Sequence, residues 1–141
     1  LSAFNSNTIA LLKNKYIGIA AFLGCTAVIF GAFGAHYLKE KLEPSSLESF
    51  KTAVFYQFIH TAVILVLIAI DANNKWLQRA INFFMVGILF FSGSIYCLAT
   101  QSIHAFNVKF LGPITPIGGL LFIIGWGHLF VYSMRHKNNH E

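Results

Sequence analysis

Four stretches of this chain are apolar and free of charge for long enough to cross a bilayer. They run from residue 16 to 38, 52 to 70, 80 to 108 and 110 to 134. A spanning helix needs roughly 20 apolar residues. In hydrocarbon the backbone must also satisfy its own hydrogen bonds, which a helix does within one segment. The pattern therefore predicts an all-α fold, a four-helix transmembrane bundle. It is read as a single integral membrane domain over 1–141, with helices at about 16–38, 46–70, 78–100 and 115–135. The third run is too long for one span, so its helix is expected to end near Thr100, with residues 101–112 as a connection.

Local signals refine the boundaries. Pro44-Ser45-Ser46-Leu47-Glu48 reads as a capping box, with Ser45 as N-cap and Glu48 at the third helical position. The second helix is thus expected to begin near Ser46, outside the membrane surface. The short polar stretch 71–75 predicts a tight turn and an antiparallel hairpin of the second and third helices. Pro113 and Pro116 suit the start of the fourth helix, where a missing amide hydrogen costs little. Trp76 falls at an interface, while Trp126 lies too deep for a belt aromatic and is expected to pack between helices. Lys13 and Lys15 precede the first run, and Ala32-Phe33-Gly34 is a passable cleavage site; the run is nevertheless expected to persist as a transmembrane helix.

Composition agrees with this layout. The chain is 56% hydrophobic and only 11% charged, against about a quarter charged in soluble domains, so a soluble globular core is excluded. The net charge of +5 is carried at the ends of the apolar runs and forms no stripe, which argues against nucleic acid and for membrane orientation. Lys13, Lys15, Lys75, Arg79, Arg135 and Lys137 fall on one side. Lys39, Lys41, Lys51 and Lys109 fall on the other, diluted by Glu40, Glu43 and Glu48. This bias predicts both termini in the cytoplasm, with residues 135–141 as a solvated inner end. Cys25 and Cys97 read as small buried apolar residues without a disulfide.

Polar residues inside the runs carry the candidate chemistry. Thr52, Tyr56 and His60 recur at helical spacing with Gln57 beside them. On the third helix Ser92, Tyr96 and Thr100 share a face, flanked by Gly93 and Ser94; His36 ends the first helix and Thr115 opens the fourth. All four helices thereby bring polar groups toward one level in the outer half of the membrane. One reading is an interhelical hydrogen-bond network that sets register, in which case Tyr56→Phe and His60→Ala lower stability. The other is a pocket open to the outer leaflet for a lipid, a quinone or a peptide. On the first helix Ala20, Gly24, Ala27, Gly31, Gly34 and Ala35 fall within an arc of about 100°, a small-residue packing seam.

No nucleophile–base pair, phosphate loop or intramembrane carboxylate accompanies these groups, so neither catalytic residues nor ion-coupled transport is expected. The six histidines, His36, His60, His104, His128, His136 and His140, lack metal-site spacing. His60 and His128 lie at similar depths and could ligate a haem, but two histidines alone are a weak signal, and His128 can equally bond Tyr132 or a neighbouring carbonyl. No metal or cofactor is expected.

Several of these residues form a pattern. Gly31-Ala32-Phe33-Gly34-Ala35-His36, then Thr52-Ala53 with Tyr56-Gln57 and His60, resemble domain-of-unknown-function family 423, whose eukaryotic members are called transmembrane protein 256. Phe91-Ser92-Gly93-Ser94-Ile95-Tyr96, Ile114-Thr115-Pro116-Ile117-Gly118-Gly119 and Gly125-Trp126 complete the likeness. The resemblance implies a small multi-pass protein, here of the bacterial cytoplasmic (inner) membrane, and carries over no catalytic residue. The expected function is non-enzymatic: an accessory component, embedded in the lipid bilayer, that packs with other membrane proteins or with itself and assembles or stabilises them. The alternative is a binding or transport module for a small lipophilic ligand at the outer polar level.

Overall fold

The computed structural model describes residues 2–104 and 106–137, with side chains over 10–135 apart from Leu12 and Ala105. Four long helices make up the chain: α1 (Ser2–Ala35), α2 (Pro44–Asp71), α3 (Lys75–Ala99) and α4 (Ile114–Lys137). Short 3-10 turns at Leu38–Glu40, Gln101–Ile103 and Lys109–Leu111 lie in the two longer connections. Each long helix contains a stretch apolar enough to cross a membrane, within Lys13–Glu40, Pro44–Asp71, Lys75–Ala99 and Lys109–Arg135. The chain is an all-α bundle of four such helices.

Several boundaries differ from those predicted. No glycine or proline interrupts residues 2–17, so α1 continues back to Ser2. It stops at Ala35, and its predicted last residues turn away, with Leu38 buried in the 3-10 turn. The capping box does not form. Glu43 is the N-cap, extended at ψ 149°, and Pro44 is the first helical residue. A proline presets the helical φ and pushes the residue before it out of the α region, so it fixes the start ahead of Ser45. Ser45 then accepts, through its carbonyl, a bond from the Ser49 hydroxyl. The 72–74 connection is a tight turn: the Asn73 amide donates to Asp71 Oδ1, and the Trp76 amide donates to Asn74 Oδ1, which caps α3. Of the solvated tail read from the sequence, residues 138–141, including His140, lie outside the described residues, as does the side chain of His136.

Consecutive helices pack on one another, and among the described residues α1 and α4 have no backbone approach. α2 and α3 form the central pair, and their facing residues Ile64, Leu67, Ile68, Leu77, Ile81 and Phe84 are the core. α1 and α4 flank this pair on opposite sides. A second small cluster, Leu38, Leu42, Phe50 and Ala99, closes the end that carries the longer connections.

The two flanking helices approach differently. On α4, a Cβ at Gly118 would collide with the backbone of Phe91 on α3, and one at Gly125 would sit 2.6 Å from the Phe84 ring. A Cβ at Gly87 on α3 would reach within 2.7 Å of the Phe122 ring. Glycine is what lets these backbones come so close. On α1, Ala20, Ala27 and Gly34 are buried and Gly24 and Gly31 half-buried. Cβ atoms at Gly24 and Gly31 would find ordinary contacts at 3.7 and 3.6 Å to side chains of α2. Ala35, assigned to this seam from the sequence, is exposed, because the helix ends there and the chain turns. Cys25 and Cys97 are likewise exposed and not buried; both face outward into what the membrane would cover.

Candidate functional site

Gln57 is the best-connected polar side chain. It is buried near the middle of the α2 span, where an unpaired amide would be costly. Its Nε2 donates to the Leu23 carbonyl and to Thr26 Oγ1, both at 2.8 Å, and its Oε1 accepts from the Tyr96 hydroxyl at 2.8 Å. Helical side chains lean toward their own N-termini. Gln57 and Tyr96 lie on antiparallel helices, so they lean toward each other and meet. One carboxamide thus ties α1, α2 and α3.

The remaining polar residues make separate contacts. The Ser92 hydroxyl, fully buried on α3, donates to the Ala53 carbonyl of α2 at 2.8 Å. Ser94 donates to the Phe91 carbonyl at 3.0 Å, which leaves Thr115 of α4 to donate to Ser94 across 2.6 Å. Trp126 Nε1 of α4 donates to His60 Nε2 of α2 at 3.3 Å, so the His60 proton lies on Nδ1, which meets the Tyr56 carbonyl at 2.8 Å. The Phe122 ring stacks on His60 with centroids 3.8 Å apart. Every adjacent pair of helices, and the α2–α4 pair besides, therefore carries a polar or stacked tie. These ties extend from Thr115 to Trp126 along α4, roughly 16 Å of helix axis. They do not share the single level read from the sequence.

Three predicted members stand apart from the ties. His36 is exposed beyond the end of α1. Thr52 is exposed, and its hydroxyl turns back to the Glu48 carbonyl one turn earlier, a local bond always open to threonine in a helix. Tyr56 contributes its ring and its carbonyl, but among the described residues its hydroxyl has no hydrogen-bond partner. Its loss therefore need not weaken the fold, contrary to the network expectation. Conversely, Thr26 and Trp126 belong to the ties and were missed, while the Thr61 hydroxyl, like that of Thr52, turns back to a carbonyl of its own helix, that of Gln57. Thr26 lies among small residues and passed as one of them; Trp126 was expected to be packed between helices but is 46% exposed on one face, with its N–H turned inward.

His60 and His128, the pair considered for haem, turn to different partners. Both His60 nitrogens are engaged. His128 bonds the Ile124 carbonyl at 2.9 Å and faces the rings of Trp76 and Phe83, away from His60. Among the described residues no three His, Cys, Asp or Glu side chains gather.

Because α4 is drawn tightly onto α3, a cleft of about 640 Å³ stays open between α4 and α2. Tyr56, His60 and Phe55 line it from α2, and Gly119, Phe122 and Trp126 from α4. No charged residue lines it.

Comparisons with known proteins agree on one family. The model described as "Protein of unknown function (DUF423)" matches residues 30–119. A "UPF0382 membrane protein" of Haemophilus influenzae is 41% identical over 128 residues, covering 90% of this chain and 99% of that protein. One of Staphylococcus epidermidis is 40% identical over 124 residues, 85% of this chain and 95% of its own length. The "UPF0382 inner membrane protein YgdD" of Escherichia coli is 34% identical over 121 residues, 84% of this chain and 88% of its own. No solved structure matches the chain.

Proposed function

The chain belongs to the DUF423 family of small multi-pass membrane proteins, and from that premise we propose that it is a non-enzymatic inner-membrane component that packs against and stabilises other membrane proteins. The observation that carries this reading is the outward face of α1. Gly18, Ala21, Cys25 and Ala32 recur there at spacings of three, four and seven residues, and all are exposed. A Cβ at Gly18 would meet nothing within 4 Å. Membrane helices associate through rows of small residues that let backbones close up, and this row is unused inside the bundle. The engagement of Gln57, Ser92, Ser94 and His60 in ties between helices supports a structural role for those groups. Orientation follows from the lysine and arginine bias, with both termini cytoplasmic. The guanidinium groups of Arg79 and Arg135 lie 5.5 and 4.7 Å from the Trp76 ring, as suits an inner-interface anchor.

Cys25 offers a direct test. In native membranes of a Cys97→Ser variant, a short thiol-anchored photoreactive benzophenone cross-linker attached at Cys25 is expected to capture a second copy or a discrete membrane partner. Ala21→Leu with Ala32→Leu should abolish the adduct. Capture that persists in the double variant, or no adduct beyond lipid, overturns the reading.

A second reading has its own observation. The uncharged α2–α4 cleft, with the free Tyr56 hydroxyl, suits a binding module for a small lipophilic ligand.

A further inference from the structure

We infer that the α2–α4 cleft takes a membrane quinone: a neutral planar ring with carbonyl acceptors on an isoprenoid tail, held by the Tyr56 hydroxyl. This rests on the second reading above and names its ligand. The cleft runs along α4 from Pro116 to Trp126, ten residues or roughly 15 Å, and its volume of about 640 Å³ falls within the usual range of about 300–1,000 Å³ for small-molecule sites.

Three features select the class. The first is polarity. Tyr56 is half-buried at the cleft wall, and a hydroxyl surrounded by apolar groups needs an acceptor. The neighbouring polar atoms are unavailable, because Trp126 N–H is already given to His60 Nε2 and His60 Nδ1 to the Tyr56 carbonyl. The cleft therefore presents one open donor, which calls for a carbonyl. The second is charge. No Lys, Arg, Asp or Glu lines the cleft, so nothing compensates a phosphate or ammonium head. The ligand must be neutral and must arrive through the lipid. The third is shape. The Tyr56 ring lies 4.6 Å from that of Phe91 and 5.9 Å from that of Phe122, and Gly119 leaves the opposite wall without a side chain. Such walls accept a flat ring in offset contact, and the exposed Leu120 and Ile123 offer a track for a tail.

The intact protein in nanodiscs of neutral lipid can be titrated with decylubiquinone, a benzoquinone on a ten-carbon tail, following tryptophan fluorescence. Trp126 borders the cleft, so occupancy should quench it saturably. Tyr56→Phe should raise the Kd about 3- to 10-fold, the loss of one hydrogen bond, and leave the thermal midpoint unchanged, since that hydroxyl has no protein partner among the described residues. Decylbenzene, with the same tail and no carbonyl, should compete weakly. Saturable quenching that Tyr56→Phe leaves unchanged, or that decylbenzene relieves equally well, defeats the quinone assignment while keeping the cleft as an apolar site. Quenching that stays linear and equal in both proteins defeats the cleft reading itself.

Discussion

The two flanking helices are held to the central pair by different means. α4 meets α3 through glycines: Gly118 lies on the Phe91 backbone, and Gly125 and Gly87 receive the rings of Phe84 and Phe122. α1 meets α2 at ordinary van der Waals distance at Gly24 and Gly31 and more closely at Gly34, where a Cβ would stand 3.3 Å from the Phe50 ring, and it gains its specificity from Gln57, which reaches the Leu23 carbonyl and Thr26. In lipid no hydrophobic effect pulls helices together, so association depends on close packing and interhelical hydrogen bonds. This molecule weights the two differently: α4 adds the Thr115–Ser94 and Trp126–His60 bonds to a glycine seam, whereas α1 relies chiefly on the polar tie. Glycine packing makes a seam that is rigid and intolerant. A polar tie leaves the helix farther out, with its other face free for a partner.

The largest effect should come where backbone meets backbone. Gly118→Ala places a methyl group on the Phe91 main chain, and no rotamer change relieves it. Overpacking generally costs about 1–3 kcal/mol and occasionally more; here the loss should be about 3 kcal/mol or more, read as a fall in the unfolding midpoint in mild detergent. Gly125→Ala and Gly87→Ala meet side chains instead, and should cost about 1–3 kcal/mol each. Phe84→Leu combined with Gly125→Ala should recover part of that loss. If the pair is no better than the sum of its members, the ring is not what fills the glycine's space.

Much of this was legible in the sequence, and what was not has a physical reason. Four apolar runs fix four spanning helices because lipid leaves the backbone no alternative. A carboxamide within such a run must find partners, so Gln57 could be singled out. Its partners could not be, since they depend on how far α1 slides along α2, and a single chain does not encode that offset visibly. Thr52 and His36 misled because a polar residue near a helix end can satisfy itself locally or in the interface. The small residues of α1 were conspicuous by their number. The decisive glycines were sparse, and only the seven-residue spacing of Gly118 and Gly125 hinted at them. Number does not decide the matter; what stands opposite does. Pro44 outranked the capping box for a similar reason, since a fixed φ constrains the chain more firmly than a hydrogen bond that forms only in one geometry.

The polar side of the comparison is tested by Gln57→Leu. The substitution makes the side chain apolar at similar size and strands the Tyr96 hydroxyl, while Thr26 keeps its bonds to the Phe22 and Leu23 carbonyls. Interhelical hydrogen bonds in membranes contribute about 0.6 kcal/mol on average and up to about 1.7 kcal/mol, so a loss of about 1–2 kcal/mol is expected. Tyr96→Phe alone should cost less, and the double variant should cost less than the sum, because both remove one shared bond. Additive losses would show that Gln57 and Tyr96 act independently, and would remove the link that Gln57 makes between α1 and α3, leaving the Tyr16–Asn82 bond and the Phe30–Tyr96 ring contact.

The smallest expected effect is the sharpest discriminator. Gly31 lies on the α1 face that turns to α2, in the same small-residue company as Gly24 and Gly34, and by composition it ought to behave like Gly118. The structure separates them. A Cβ at Gly31 would stand 3.6 Å from Val54 Cγ1, an ordinary contact with a side chain that has somewhere to go. Alanine also favours the helix over glycine by about 0.5–1 kcal/mol, which offsets any slight crowding. Gly31→Ala should therefore leave the unfolding midpoint unchanged or raise it slightly, within about 0.5 kcal/mol. If it instead destabilises as severely as Gly118→Ala, α1 is seated as tightly as α4. The distinction between a glycine-packed helix and a polar-tied one would then collapse, and with it the case that α1 is the helix left free to meet a partner.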